Sequence, residues 1–264
     1  MLRLLINLDR SPDRLQFMKT ELSNLNLTFE RIPAVDGKSL TVAQLQALTP
    51  KLYSKEKLWF PYNLINTEYA CFLSHRSCWN RLLKSGEEFA LVMEDDIKFI
   101  PESSVYLKDS SWIPNNVHLI QLHSPLKPQR FQIKNSEIII DNNPPRTLYE
   151  IVHPTANGTP AYIISRKAAQ IALDMSSLVG APIDEFLFSP KSPFHKYINF
   201  HKIFPGLGFQ IDIPSTILNQ PRNRHKPFLC RLHPFSIWLK IHLLADKLKY
   251  TKEKDFFTST NRTS

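Results

Sequence analysis

The sequence has few cysteines and no long hydrophobic run. The three cysteines, Cys71, Cys78 and Cys230, include no CxxC pair, which argues against a disulfide framework and a structural zinc site and favours a reducing compartment. The N-terminal segment MLRLLINLDR has too short an apolar stretch for a signal peptide, and Asp9 interrupts it. No run of about 18 apolar residues occurs, so we expect a chain that does not span a membrane and is not exported.

Internal repeats and low-complexity segments are also lacking. The chain has 264 residues, of which 42% are hydrophobic and 22% are charged. These values are ordinary for a folded protein and argue against wholesale disorder. The length allows one large domain, or one domain with a modest extension.

The positive charge is concentrated near the C-terminus. The formal net charge is +9, and nine lysines or arginines but only two acidic residues lie between Arg222 and Lys254. Because the remaining chain is close to neutral, nucleic-acid binding over the whole fold is not expected. We predict a catalytic domain over residues 1–225 and a basic C-terminal helical extension over residues 226–264.

Part of this extension has the pattern of a basic amphipathic helix. One predicted face is apolar and the lysines lie elsewhere; the apolar residues are Ile237, Trp238, Ile241, Leu244, Ala245 and Leu248. Such a helix is suited to bind an anionic membrane surface. Each lysine or arginine near the surface contributes about 1 kcal/mol to the free energy of binding. The alternative is that the apolar face packs on the catalytic domain or on a second copy of the chain.

Alternating strand and helix patterns predict an α/β domain with a largely parallel mixed sheet. The apolar run at residues 2–8 predicts a buried strand, and the next helix can be capped by Ser11 and begin at Pro12. A hairpin-like insertion is expected between residues 125 and 150. Further strands are predicted at residues 28–35, 89–93, 117–122 and 159–165, and further helices after the caps Thr41, Thr67 and Ser165.

Three carboxylates directly follow the predicted strand at residues 89–93. Glu94, Asp95 and Asp96 crowd negative charge at the end of a buried strand, which favours a positive partner there. In an extended strand end, Glu94 and Asp96 would face one side and Asp95 the other. Two such carboxylates can share Mg²⁺ or Mn²⁺, and ligands of open α/β sheets bind beyond the carboxyl ends of the strands. The alternative is a solvated strand end without a ligand.

Six segments resemble those of glycosyltransferase family 25, and they occur in the same order. They are INLDRSPDR, FERIPAVDG, EYACFLSHRSCW, LVMEDDIKF, GTPAYIIS and PIDEF, and the resemblance spans about residues 1–220. The family includes bacterial lipooligosaccharide galactosyl- and glucosyltransferases and relatives that modify collagen. The resemblance implies a GT-A-type nucleotide-sugar-binding domain and an inverting, metal-dependent transfer of a hexose.

For the carboxylates, the resemblance implies a role in binding Mn²⁺ or Mg²⁺. Asp96 would hold the cation, with Glu94 or Asp95 assisting directly or through water. The cation would stabilise the negative charge that develops on the departing nucleoside diphosphate.

An inverting transfer also needs a base that takes the proton of the acceptor hydroxyl. Asp184 is the first candidate and Glu185 the second, because Pro182 can begin a short helix at this point. The alternative is that these carboxylates interact only with the dipole of that helix.

Polar residues that follow the first two predicted strands are candidates for binding the donor nucleotide. Arginine suits phosphate, and aspartate suits ribose hydroxyl or base amide groups. An ion-pair and capping network on the surface is the alternative. The candidates are Asn7, Asp9, Arg10, Arg14 and Asp36.

The remaining candidates depend more on the resemblance than on residue type. A lone helical histidine is more often packed than catalytic, but the resemblance favours Ser74 and His75 as donor-site residues. Cys71 and Cys78 are predicted to pack in the core. Loop candidates are Asn219 and Gln220 for sugar hydroxyls and His225 for a metal or phosphate contact.

The predicted function is transfer of a hexose, with galactose favoured, from a UDP-sugar to a lipooligosaccharide or lipopolysaccharide acceptor. A UDP-glucose-dependent enzyme is the alternative within the family, because the two sugars differ at one hydroxyl. A metal-dependent phosphoesterase would also use clustered carboxylates, but the sequence has no compact His/Asp set for activating water. Nucleic-acid binding is not expected, since it would leave the carboxylates without a role. We expect a cytoplasmic enzyme that is peripheral on the inner membrane of a Gram-negative bacterium.

Overall fold

Strands and helices alternate from the first residues, as the patterning predicts. The computed structural model describes residues 1–49, 60, 63–124, 131–142, 145–153 and 158–211. The predicted site residues Asn219, Gln220 and His225, and the predicted extension over 226–264, lie outside the described residues.

The described part of the chain contains strands and helices with the following bounds. The strands are β1 (Leu2–Asn7), β2 (Glu30–Pro33), β3 (Phe89–Glu94), β4 (Ile97–Phe99), β5 (Leu119–Gln121), β6 (His123–Ser124), β7 (Gln132–Asn142), β8 (Pro145–His153), β9 (Ala161–Ser165), β10 (His201–Phe204) and β11 (Gly208–Gln210). The α-helices are α1 (Pro12–Asn24), α2 (Val42–Leu48), α3 (Asn66–Leu83), α4 (Ser104–Lys108), α5 (Arg166–Met175) and α6 (Ile183–Phe188). Short 3₁₀ turns occupy Pro101–Ser103 and Pro193–Lys196.

Helix ends follow local capping chemistry, with two differences from the sequence prediction. Thr41 caps α2 in a capping box with Gln44, and the Ser165 hydroxyl accepts from the backbone N–H of Ala168 at the start of α5. Ser11 precedes α1 but makes no side-chain cap. Thr67 lies inside α3, because Glu68 instead accepts the backbone N–H of Ile65, the residue that precedes the helix.

The main sheet has eight strands in the order β2-β1-β3-β9-β5-β10-β8-β7. Among these described strands, β1 pairs in parallel with β2 and β3, and β5 pairs in parallel with β10, while the other four neighbouring pairs are antiparallel. The sheet is therefore mixed, and parallel pairing does not dominate it, because β9 is inserted antiparallel between β3 and β5. The expected insertion is present as the β7–β8 hairpin. A second sheet has the order β4-β11-β6.

Both faces of the main sheet are covered, which explains why β1 and β3 are continuously apolar. Along β3, Ala90 and Val92 face one hydrophobic cluster, and Leu91 and Met93 face the other. The first cluster includes the buried face of α3, with Phe72, Trp79 and Leu82, and the second includes Met18 and Leu22 of α1. None of the helices in the described ranges combines the length and hydrophobicity that crossing a bilayer requires.

Parallel pairing brings the carboxyl ends of β1 and β3 to the same edge of the sheet. Ile6 of β1 is in register with Glu94 of β3, and Asn7 is in register with Pro33 of β2. The segments that leave these strands therefore meet at one place, and the polar residues of the candidate site come from them.

Candidate active site

An open cleft lies at the edge of the sheet where β1, β2 and β3 end. Its walls come from the loop after β1, the start of α1, the loop after β2, the first half of α3 and the turn after β3. The residues that line it include Asn7, Arg10, Arg14, Asp36, Cys71, Ser74, His75, Glu94, Asp95, Asp96 and Gln210. The structure thus brings together nine of the predicted site residues and adds Cys71 and Gln210. Glu94, Asp95 and Asp96 carry most of the negative charge of the cleft.

The three consecutive carboxylates do not alternate along an extended strand. β3 ends at Glu94, and Asp95 and Asp96 form a turn before β4. All three residues therefore line the same cleft. The sequence-based expectation that Asp95 faces away is wrong because the chain turns where the prediction extended the strand.

Asp95 is neutralised by residues of the first strand and helix. Arg14 Nη1 donates to Asp95 Oδ1 at 2.6 Å, and Asn7 Nδ2 donates to Asp95 Oδ2 at 2.7 Å. Asn7 is itself oriented by a hydrogen bond from Arg31 Nε to its Oδ1 at 3.0 Å. These contacts hold the turn against β1 and leave Asp95 with both oxygens engaged.

The two oxygens of Asp96 have different environments. Gln210 Nε2 donates to Asp96 Oδ2 at 3.0 Å, while Asp96 Oδ1 is buried and has no hydrogen-bond partner in the part of the chain that the structure describes. Burial, followed by the nearby charge of Glu94, raises the pKa of Asp96 to about 7. A buried carboxylate oxygen without a donor is costly, so this atom is a candidate contact for a cation.

The carboxylate of Glu94 contacts two side chains. The Thr159 hydroxyl donates to Glu94 Oε1, and His75 Nε2 lies 3.3 Å from the same oxygen. Burial opposes ionisation of Glu94, but the contacts with His75 and Thr159 and the nearby charge of Arg14 outweigh it and lower the pKa of this carboxyl. The structure therefore places His75 beside a predicted metal ligand.

Thr159 follows a glycine whose backbone requires the absence of a side chain. Gly158 has a φ of +83°, a backbone conformation that residues with a side chain rarely adopt. Its N–H donates to Asp184 Oδ2 at 3.2 Å, and the next residue, Thr159, reaches Glu94. This turn links the predicted base to the predicted metal ligands.

Asp184 lies near the start of α6, which begins directly after Pro182 as predicted. Its Oδ1 also accepts the backbone N–H of Glu185 at 2.9 Å, and both acidic side chains are half-buried. The described cleft lining includes neither of them. Asp184 nevertheless lies close enough to the cleft for its charge, with those of Glu94 and Asp96, to add to burial in raising the pKa of the Cys71 thiol.

A series of buried hydrogen bonds connects Lys202 to the backbone of Gly158. Lys202 Nζ donates to Gln121 Oε1 and to the His123 carbonyl, each at 2.6 Å. Gln121 Nε2 in turn donates to the Gly158 carbonyl at 3.0 Å. Burial lowers the pKa of Lys202 to about 7.

The other predicted nucleotide-binding residues have different environments. Arg10 Nε donates to Asp36 Oδ2 at 2.7 Å, and both residues line the cleft. Asp9 is 82% exposed and pairs with Arg31 outside the described cleft lining. Ser74 donates to the Ala70 carbonyl and accepts the backbone N–H of Val35, so its hydroxyl joins α3 to the loop after β2.

Three residues of the site were missed by the sequence reasoning. Cys71 lines the cleft and is half-buried, whereas Cys78 is fully buried, so the prediction of core packing holds for Cys78 and is incomplete for Cys71. Thr159 lies in the segment GTPAYIIS, whose resemblance was the available signal. Gln210 lies on β11, far along the chain, and no sequence signal marked it.

The sequence model of glycosyltransferase family 25 (LPS biosynthesis protein) matches residues 1–187. The match includes β1 to β3, α3, the three carboxylates and the α6 segment with Asp184. The chain belongs to glycosyltransferase family 25.

Curated relatives come from animals and bacteria. The chain is 32% identical over 257 residues to procollagen galactosyltransferase 1 of Danio rerio, covering 92% of this chain and 40% of the relative. It is 31% identical over 213 residues to procollagen galactosyltransferase 2 of Homo sapiens, covering 75% of this chain and 32% of the relative. A third relative is the lipooligosaccharide biosynthesis protein lex-1 of Haemophilus influenzae, 27% identical over 141 residues, with 52% and 45% covered. The chain thus spans less than half the length of each of these three proteins.

Proposed function

We propose that the chain is an inverting hexosyltransferase with a GT-A-type domain that transfers galactose from UDP-galactose to a lipooligosaccharide or lipopolysaccharide acceptor. One observation carries the proposal: two buried atoms, from side chains of opposite charge in the same cleft, have no hydrogen-bond partner among the described residues. They are Asp96 Oδ1 and Arg14 Nη2. A divalent cation together with a nucleoside diphosphate would satisfy both, since carboxylates bind hard cations and guanidinium groups bind phosphate.

The residues of the turn after β3 fit a hard divalent cation such as Mn²⁺ or Mg²⁺. Glu94 and Asp96 supply carboxylate oxygens, and burial together with the nearby charge of Glu94 raises the pKa of Asp96, so a cation that compensates this charge would favour the ionised carboxylate. When bound, the cation would act as a Lewis acid that stabilises negative charge on the departing diphosphate.

The first helix and the loop after β2 are suited to the nucleotide. Arg14 keeps its Nη1 on Asp95 and has Nη2 free of hydrogen bonds within the described residues, so it can hold a phosphate oxygen without losing the ion pair. Arg10 and Asp36, which pair with each other across the rim, are placed to contact the ribose or the base.

Asp184 is the proposed base for the acceptor hydroxyl. Two backbone N–H groups, those of Gly158 and Glu185, fix the position of its carboxylate. A carboxylate held at one position can accept the proton as the acceptor oxygen attacks the sugar. Glu185 remains the second candidate.

The acceptor and the cellular site are inferred from the relatives and from the C-terminal sequence. The family description and the name of the lex-1 relative concern lipopolysaccharide and lipooligosaccharide biosynthesis, and the animal relatives are named as galactosyltransferases. A basic segment after residue 221 suits an anionic membrane surface on which a glycolipid acceptor resides. We therefore place the enzyme on the cytoplasmic side of the inner membrane of a Gram-negative bacterium.

A donor screen tests the proposal. Release of UDP is measured from UDP-galactose and UDP-glucose, with Mn²⁺, Mg²⁺ or excess chelator, in the presence and absence of truncated lipooligosaccharide. We expect acceptor-dependent release from UDP-galactose that chelation abolishes. Preference for UDP-glucose would identify the glucosyltransferase alternative, and metal-dependent hydrolysis of phosphoesters without any sugar transfer would contradict the proposal.

A further inference from the structure

Three side chains with different ligand atoms converge at the α3 wall of the cleft. Cys71 and His75 are four residues apart on α3, so they lie on the same helical face. Glu94 approaches them from the end of β3. The Cys71 sulfur, a ring nitrogen of His75 and a carboxylate oxygen of Glu94 all lie within 4.8 Å of one another.

The His75 ring is held in an orientation that suits a metal ligand. Its Nδ1 lies 3.0 Å from the Tyr162 hydroxyl, and its Nε2 points to Glu94. The Tyr162 oxygen also accepts a hydrogen bond from Trp79 Nε1 at 2.9 Å. Tyr162 thus holds the ring through Nδ1 and leaves Nε2 facing the Glu94 carboxylate. A cation bound between Nε2 and the carboxylate would take the place of the proton that joins them in its absence.

We propose that Cys71, His75 and Glu94 form a site for a borderline-soft divalent cation, with Zn²⁺ as the expected ion. Thiolate, imidazole and carboxylate are the three ligand types that zinc takes in proteins, and a site with three protein ligands leaves a fourth position open. Cys71 is half-buried and lines the cleft, so an ion can enter from the cleft and keep water at that position. Binding replaces the thiol proton by the metal and releases that proton to solvent, because only the thiolate is a ligand.

This site differs in ligand chemistry from the proposed hard-cation site at Asp96. Mn²⁺ and Mg²⁺ prefer oxygen ligands, and a thiolate favours zinc over both. The two sites share Glu94, so zinc at Cys71 and His75 withdraws a carboxylate from the hard-cation site. Zinc is therefore expected to inhibit a transfer reaction that depends on Mn²⁺, and excess Mn²⁺ should not displace it from the thiolate.

Cobalt absorption tests the site without any assay of transfer. The full chain is titrated with Co²⁺, which takes the place of zinc and gives a thiolate-to-metal charge-transfer band in the near ultraviolet. We expect the band in the wild type and in C78A, because Cys78 is buried in the core about two turns further along α3. C230S serves as a second control, since Cys230 is the remaining cysteine. The band should be lost in C71S.

A second measurement needs no variant. Zn²⁺ should slow alkylation of Cys71 by iodoacetamide about tenfold or more, located by mass spectrometry, and Mn²⁺ should not. Absence of the cobalt band in the wild type, its persistence in C71S, or equal alkylation with and without zinc would each overturn the site. These readouts are independent of the proposed function, which can fail in the donor screen while zinc still binds.

Discussion

The two sides of the cleft hold their carboxylates in opposite ways. On the α1 side, Asp95 pairs with Arg14 and Asp36 pairs with Arg10. On the α3 side, Glu94 and Asp96 make no ion pair with arginine or lysine in the described part of the chain, and Asp96 Oδ1 has no partner at all. On the α1 side each carboxylate is already paired with an arginine, whereas on the α3 side Asp96 Oδ1 would gain a partner from a bound cation. Carboxylates next to each other in sequence can thus serve structure and binding separately.

The largest expected effect is that of removing charge from the α3 side. D96N keeps the size of the side chain but lacks the charge, so the turn should survive while the rate of transfer falls about 10²–10³-fold. The measurement is kcat for UDP release with Mn²⁺ and acceptor. D109N is the matched control, because Asp109 is an exposed carboxylate that bonds only to Ser111 in the described residues. Equal kcat values for D96N and D109N would remove the functional difference between the two sides.

Replacement of the proposed base should act on kcat alone. D184N keeps the size of the side chain, and its single amide oxygen can still accept one of the two backbone N–H groups, those of Gly158 and Glu185. We therefore expect the fold and donor KM to be preserved while kcat falls about 10²-fold. D174N is the control, since Asp174 is an exposed carboxylate on α5. A kcat close to that of the wild type would exclude Asp184 as the base and direct attention to Glu185.

On the α1 side, substitution of Arg14 should affect donor binding and stability together. R14M leaves Asp95 buried without its guanidinium, so we expect a loss of about 1–3 kcal/mol in the free energy of unfolding and about a tenfold rise in donor KM. Urea denaturation and steady-state kinetics provide the two values. R10M is the control for stability: Arg10 and Asp36 are 42% and 28% exposed, and loss of such a surface pair should cost less than about 1 kcal/mol.

Lys202, which is connected to Gly158 through Gln121, gives the smallest predicted effect. The effect is a change in how the free energy of unfolding depends on pH. The pKa of Lys202 is lowered to about 7 in the folded chain, so between pH 7 and its ordinary value the unfolded chain binds more protons. Stability contributed by this group therefore rises with pH across that window. K202M should lack this rise. Parallel pH profiles of the unfolding midpoint for wild type and K202M would show that Lys202 does not titrate there.

Much of the fold was predictable because its elements have clear local signals. The apolar runs of β1 and β3, the Thr41 and Ser165 caps and the helix start after Pro182 all depend on residues adjacent in sequence. The insertion of β9 between β3 and β5 was not predictable, since strand order is set by packing over the whole sheet.

The candidate site was predictable in composition but not in pairing. The sequence indicated which residue types gather at the ends of β1 and β3. It could not show that Arg14 pairs with Asp95 rather than with Asp96, because this pairing depends on where the chain turns after Glu94. Thr159 and Gln210 were missed because they lie 65 and 114 residues along the chain from their partners, Glu94 and Asp96.

Binding of Mn²⁺ tests the central claim most directly, namely that the carboxylates of the α3 side bind a cation that also contacts the diphosphate. Free Mn²⁺ is measured by electron paramagnetic resonance during titration of wild type, D96N and D109N, each with and without UDP. We predict one site in wild type and D109N that tightens when UDP is present, and loss of this UDP-dependent tightening in D96N. Mn²⁺ binding in D96N that matches the wild type, both with and without UDP, would contradict the account.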